Sequence, residues 1–266
     1  MEYRLVATDM DGTLLDTESR ITPKTLDTVR KVIDKGIPFI LCTGRPLQGV
    51  KKYVDQLNLD CPVITYNGAM ITHSRTGQVI FSQDMDTADA VKVYETSLKY
   101  GVHFIIWSQN RLYASALDEK TEFYEGITAS KAVLIENFEE ILSQGITKFL
   151  WHAEPEQLDK WMTEMGKNTF DNTTFVKSRR YFLEFFSAST SKAVAMEKLG
   201  KYYGIDRSQM LALGDQTNDL PMIEYAGLGV AMGNAVDSVK AAADYITAPN
   251  TEDGAAQAIE KFVLGE

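Results

Sequence analysis

Cysteine is almost missing from this 266-residue chain, basic residues are outnumbered, and no apolar run approaches a membrane span. With only Cys42 and Cys61 present, no disulfide framework can hold the fold and no cysteine-built zinc site can form, so two reduced thiols are expected. Lys and Arg number 27 against 37 Asp and Glu, a formal net charge of −10. Such a surface repels a phosphate backbone, and no Lys/Arg-dense stripe offers an electrostatic footprint, which argues against nucleic acid as a partner. Acidic residues between Met1 and Asp11 stand where a signal peptide needs basic ones, so the expectation is a soluble, cytoplasmic protein with no membrane partner. Repeats, low-complexity tracts and long linkers are missing too. Any phosphorylated ligand would have to find its positive charge locally, at a lysine, a helix N-terminus or a metal ion.

What is present is a chain long enough for one large domain or two modest ones. Residues 1–83 alternate short apolar runs with helical spacing, the rhythm of a parallel sheet with crossover helices. Strands are expected over Arg4–Thr8, Pro38–Cys42 and Val63–Tyr66, with helices over Thr22–Lys35 and Pro46–Leu57. The rhythm returns in 188–266, with a helix over Ser191–Tyr203, a strand over Met210–Leu213, a helix near Leu220–Ala226 and a closing helix over Asp253–Val263. Between them, 84–187 is richer in aromatic strands, such as Val102–Trp107, Thr147–Trp151 and Tyr181–Phe186. The expected fold class is α/β, a Rossmann-like parallel-sheet core (1–83 and 188–266) with an inserted α/β cap domain (84–187) joined by short hinges. The cap aromatics, among them Phe104, Trp107, Tyr113, Trp151, Phe182 and Phe186, read as core between sheet and helix in preference to a sugar-stacking surface. Glu184 reads as part of a solvated strand face.

Loops at the carboxyl ends of parallel strands gather in one crevice, so polar residues directly after apolar strands are the candidates for a site. Asp9-Met10-Asp11-Gly12-Thr13 follows the first strand. Residues two apart in extended chain share a face, which directs Asp9 and Asp11 to one side. Two adjacent carboxylates are best accommodated with one ionised and one protonated. That suits Asp9 as nucleophile and metal ligand and Asp11 as the acid and base; the same letters also make an ordinary turn. Thr43-Gly44-Arg45-Pro46 combines a hydroxyl, an unobstructed N–H and a helix start, an anion cradle or simply a turn with Arg45 on the surface. Lys192 sits in a first helical turn, against the helix dipole, unless an anion compensates. Gly214-Asp215-Gln216-Thr217-Asn218-Asp219 offers oxygen ligands for magnesium, Asp215 first; Asn218 is open to capping or phosphate binding, and Asp219 to capping a helix or orienting Lys192.

In this order the four segments resemble the signature motifs of the haloacid dehalogenase-like hydrolase superfamily, and the whole pattern resembles its Cof-type sugar-phosphatase branch. Asp9 to Leu14 is similar to the first motif, Thr43 and Gly44 to the second, Lys192 to the third, and Gly214 to Gln216 with Asn218 and Asp219 to the fourth; Glu252-Asp253-Gly254 also resembles a family feature. Ala193 departs from the glycine that usually follows the lysine. The resemblance implies a Mg2+-dependent phosphatase acting on small-molecule phosphate esters, sugar phosphates among them, through an aspartyl-phosphate on Asp9. It also implies a metal site of Asp9, the Asp11 backbone carbonyl and Asp215, with Thr43, Gly44, Lys192 and Asn218 on the phosphate, and a cap that selects substrates. Alternatives are a phosphomutase, a phospho-acceptor signalling domain and a non-catalytic binding protein. An acceptor as early as Asp9, followed by a large insertion, argues against the signalling domain.

Overall fold

The computed structural model describes residues 3–166 and 169–266, and the chain divides into two compact units, 1–81 with 191–266 and 82–190. The first unit begins with β1 (Leu5–Asp9), α1 (Pro23–Asp34), β2 (Phe39–Cys42), α2 (Leu47–Leu57), β3 (Pro62–Thr65), β4 (Met70–His73) and β5 (Val79–Ser82). The chain then makes the second unit: α3 (Thr87–Tyr100), β6 (His103–Ser108), β7 (Arg111–Ala114), α4 (Glu119–Thr128), β8 (Ala132–Leu134), α5 (Phe138–Ser143), β9 (Lys148–His152), α6 (Pro155–Met165), β10 (Thr173–Arg179) and β11 (Phe182–Ser187). It returns as α7 (Lys192–Tyr203), β12 (Met210–Gly214), α8 (Leu220–Tyr225), β13 (Leu228–Ala231), α9 (Asp237–Ala242), β14 (Tyr245–Ile246) and α10 (Gly254–Ile259).

The first unit is built on an eight-stranded sheet in the order β14-β13-β12-β1-β2-β3-β4-β5. From β14 to β3 all neighbours are parallel, and β4 then runs antiparallel to β3. Strands covered on both faces carry continuous apolar runs, which is why Leu5-Val6-Ala7, Phe39-Ile40-Leu41 and Leu211-Ala212-Leu213 are all buried. The strands β4 and β5 and the helix α9 were not expected, being too short to show a period. At the C-terminus the helix expected from Asp253 begins at Gly254, and after Ile259 it widens into a turn over Glu260–Leu264.

Helix α1 shows how the local sequence sets an element. The Thr22 hydroxyl accepts the Thr25 N–H at 3.1 Å, and Pro23 opens the first turn. Val29 and Val32 then seal against the sheet, each contributing about 2 kcal/mol of burial.

The second unit is a six-stranded sheet, β10-β11-β9-β6-β7-β8. Its register puts Phe104, Trp151 and Leu183 on one face with Ile106, Phe149 and Phe185, the face that forms the apolar core. On the other face stand Trp107, Lys148 and Glu184. Trp107 and Phe182 are also enclosed, since Tyr124 of α4 meets Phe182 edge to face and its hydroxyl accepts the Trp107 Nε1–H at 3.1 Å. The aromatics expected as core are thus interior, Phe186 alone being half-buried. Glu184 corrects the expectation of a solvated face: it is 8% exposed and accepts from Lys148 Nζ at 3.0 Å. A helix lies over that face, and the sequence alone does not show it. Among the described residues, no helix is long and apolar enough to cross a membrane.

Candidate active site

The topology fixes where chemistry can gather. From β1 the chain first builds outward through β2 and β3, and after the second unit it returns to the other flank of β1 as β12. Crossovers on the two sides of that point diverge, opening a crevice at the carboxyl ends of β1 and β12. Asp9 is the last residue of β1, Asp215 directly follows β12, and Thr43 directly follows β2.

Lys192 enters this crevice from the first turn of α7. Ser191 caps the helix, accepting the Val194 N–H at 3.2 Å, and Gly68, at φ +103°, allows the close approach because a Cβ there would strike the Ser191 carbonyl. The lysine is fully buried, and its Nζ lies 2.5 Å from Asp9 Oδ1 and 2.5 Å from Asp219 Oδ1. The two carboxylates offset both the unfavourable dipole and the desolvation of the ammonium, and they hold the Lys192 pKa above its ordinary value. Asp219 was open to two roles. It makes no side-chain cap on α8; its Oδ1 faces Lys192 and its Oδ2 accepts the N–H groups of Asp215 and Gln216, each at 2.9 Å.

Asp9, Asp215 and Asp219 bring one carboxylate oxygen each within 4.8 Å of one another. Three formal negative charges face the single ammonium of Lys192. Burial pushes the Asp9 carboxyl up to about 8 against the opposing pull of Lys192, with Asp219 and Asp215 adding to the rise. Burial likewise raises Asp215, which a 2.9 Å hydrogen bond from the Thr13 hydroxyl opposes. Gly12, at φ +85°, keeps the turn clear of this group, since a Cβ there would strike the Asp215 carboxylate. A buried set of oxygen donors with surplus negative charge fits a hard divalent cation such as Mg2+.

Asp11 does not share this group. It is the exposed neighbour, its carboxylate gripped by the Arg45 guanidinium through Nε to Oδ2 at 2.8 Å and through Nη2 to Oδ1. Asp9 and Asp11 thus face different cations, Lys192 and Arg45 respectively. Arg45 is backed by the Gly49 carbonyl at 3.4 Å and by the Tyr53 ring, 5.7 Å to the centroid. Thr43 is buried and its hydroxyl accepts the Arg45 N–H at 3.1 Å; Gly44 lies against the Asn67 amide. Asn218 donates Nδ2 to Asn67 Oδ1 at 3.0 Å.

Sequence reasoning missed Arg45 as a partner of Asp11, and it missed three asparagines. Asn67 follows β3, and Asn234, shortly after β13, donates to the Gly12 carbonyl at 2.8 Å. Asn250 donates its N–H to Asn234 Oδ1 at 2.9 Å and its Nδ2 to the Leu15 carbonyl at 2.8 Å, so the turn after Asp9 is tied down from the far half of the chain. The signal for Asn67 and Asn234 was the one already in use, polar residues at the ends of buried parallel strands.

With this arrangement in view, the sequence model described as haloacid dehalogenase-like hydrolase matches residues 6–259. The chain belongs to the haloacid dehalogenase-like hydrolase family. YxeH of Bacillus subtilis (strain 168) is 34% identical, covering 99% of this chain and all of that protein. The 5-amino-6-(5-phospho-D-ribitylamino)uracil phosphatase YitU of the same organism is 30% identical, covering 97% of each. A haloacid dehalogenase-like hydrolase from Bacteroides thetaiotaomicron superimposes with a TM-score of 0.87 at 28% identity, covering 98% of this chain and 99% of the other. This family member is an enzyme, a hydrolase of the phosphatase type.

Proposed function

We propose that this phosphatase removes phosphate from small phosphorylated metabolites, sugar and polyol phosphates foremost, in two steps through an aspartyl-phosphate on Asp9. The observation that carries this reading is Lys192 Nζ at 2.5 Å from Asp9, with Asp215 and Asp219 in the same buried group. A buried carboxylate beside a fixed ammonium is a nucleophile prepared for an anionic substrate. In the first step an Asp9 oxygen attacks phosphorus and the ester P–O bond breaks, its electron pair leaving with the alkoxide, which takes a proton from the Asp11 carboxyl. In the second, water attacks the same phosphorus and gives its proton to Asp11. The bond from phosphorus to Asp9 breaks and inorganic phosphate departs.

Mg2+ would be held by Asp9, Asp215 and the Asp11 backbone carbonyl, supplying positive charge that keeps Asp9 ionised and offsets the charge on the phosphoryl oxygens. Thr43, Gly44, Lys192 and Asn218 hold those oxygens, and Asp219 keeps Lys192 in place through the 2.5 Å contact. Substrate choice falls to the inserted unit, read as a cap. The polyol-phosphate preference is supported by YitU, whose name specifies a phosphorylated ribityl chain. The test is a screen of phosphate monoesters with Mg2+ and after EDTA treatment, run beside Asp9→Asn freed of deamidated material. Turnover is expected to need the metal and to fall by at least about a thousandfold in the variant. Full activity in Asp9→Asn would remove the nucleophile assignment, and metal-independent turnover would remove the role given to Mg2+.

A further inference from the structure

The turn after β3 is bent into three successive left-handed residues, Tyr66 at φ +51°, Asn67 at φ +56° and Gly68 at φ +103°. Glycine adopts this region freely and asparagine tolerates it, but a buried tyrosine does not do so without strain. Such strain persists only where surrounding contacts enforce it, and here they come from the segments that form the site. The Tyr66 N–H donates to the Arg45 carbonyl at 3.3 Å and the Asn67 N–H to the Thr43 carbonyl at 2.9 Å. Gly68 lies directly on the Ser191 carbonyl ahead of Lys192. The Asn67 side chain completes the bridge. Its amide sits over Gly44, where a Cβ would lie 3.0 Å from Oδ1 and 3.2 Å from Nδ2, and Oδ1 accepts the Asn218 Nδ2–H at 3.0 Å.

We propose that Asn67 is a positioning residue for the phosphoryl group: its carboxamide fixes the Asn218 amide beside Gly44, so that both sides of the phosphate cradle keep one geometry. This inference rests on the phosphatase reading above and adds a residue to it. An asparagine that merely turned the chain would be replaceable by glycine, which suits φ +56° better. A positioning asparagine would not.

The test is Asn67→Gly and Asn218→Ala in the full chain, each alone and the two combined. It is read by thermal melting, by steady-state kinetics on a phosphate monoester with Mg2+, and by calorimetric titration of inorganic phosphate. The expected result is a Tm unchanged or raised by about 2 °C, with KM and the phosphate dissociation constant each raised about tenfold and kcat changed less. In the double variant, phosphate binding should be no weaker than in the worse single variant, because both remove one unit. Unchanged KM and phosphate affinity in Asn67→Gly, losses that multiply in the double variant, or a lowered Tm with kcat falling as far as kcat/KM would each overturn the role. A wild-type chain that hydrolyses no monoester would instead defeat the underlying functional reading.

Discussion

Each unit of this protein buries a lysine against a carboxylate, and the two lysines have different surroundings. In the first unit Lys192 is fully buried between Asp9 and Asp219, with Asp215 close behind. In the second, Lys148 is 4% exposed and faces the Glu184 carboxylate at 3.0 Å, beside the Tyr124 hydroxyl that Trp107 also engages. Lys148 and Glu184 cancel; the Lys192 group keeps an excess of negative charge. Burying charge is unfavourable in both places, so ion pairing alone does not mark a site. What separates them is imbalance. A closed pair has nothing left to offer a ligand, whereas an unbalanced group is completed by a cation and an anionic substrate.

The largest effects should come from breaking each cluster at its lysine. Lys192→Met leaves Asp9 and Asp219 facing each other unpaired, and turnover should fall about a thousandfold. Lys148→Met leaves Glu184 buried alone and should cost the second unit about 3 kcal/mol, while the variant still hydrolyses an aryl phosphate below its unfolding transition. All three tryptophans, Trp107, Trp151 and Trp161, belong to the second unit, so urea melts followed by tryptophan fluorescence read that unit selectively. If Lys148→Met removes turnover as completely as Lys192→Met at a temperature where both are folded, the distinction between the clusters is wrong.

Cation binding sharpens the contrast. Mg2+ at 100 times its dissociation constant should stabilise the first unit by about 2.7 kcal/mol, seen as a rise in the circular-dichroism transition that Asp215→Asn removes. The tryptophan transition should move much less. An equal shift in both would mean that the two units unfold together and that the balance of charge within each cannot be read separately.

Between these extremes lies the Arg45–Asp11 pair, half exposed, with side-chain accessibilities of 24% and 54%. Exposed pairs contribute at most about 1 kcal/mol to stability, so Arg45→Gln should leave the melt nearly unchanged. Its effect should appear in kinetics, because in the proposed mechanism the Asp11 carboxyl that Arg45 orients protonates the leaving group. An alkyl phosphate, which departs as a basic alkoxide, should lose about tenfold in kcat/KM, whereas an aryl phosphate with an acidic leaving group should lose little. Equal losses on both substrates would detach Arg45 from the proton transfer.

The sequence made the first unit legible to the extent that its strands are buried on both faces. Runs such as Leu5-Val6-Ala7, Phe39-Ile40-Leu41 and Leu211-Ala212-Leu213 mark their own ends, and Asp9, Thr43 and Asp215 each stand two residues beyond such a run. Lys192 was legible because a lysine in a first turn conflicts with the helix dipole, and that conflict calls for a nearby anion. Less visible were partners chosen by long-range packing. Asn218 meets Asn67 across 151 residues and Asn234 meets Gly12 across 222, and no local pattern encodes such pairings. The second unit hid its polar cluster for another reason. Glu184 has the alternation of a half-solvated strand, and only the placement of α4 over that face encloses it.

The smallest expected effect tests the closed pair from the opposite side. Replacing both partners, Lys148→Met with Glu184→Leu, removes two buried charges together and leaves apolar groups of similar volume on the same strand face. Neither desolvation nor attraction then remains, and such exchanges are often neutral or stabilising. One cost stays: the Tyr124 hydroxyl still accepts from Trp107 but loses Lys148 as a neighbour. The two contributions oppose each other, so the double variant should unfold within about 1 kcal/mol of the parent, recovering most of the roughly 3 kcal/mol lost in Lys148→Met alone. Recovery would show that the pair is kept by mutual cancellation and holds nothing in reserve for a ligand. A double variant as unstable as the single one would show instead that Lys148 acts through Tyr124, and the cluster in the second unit would have to be treated as a network.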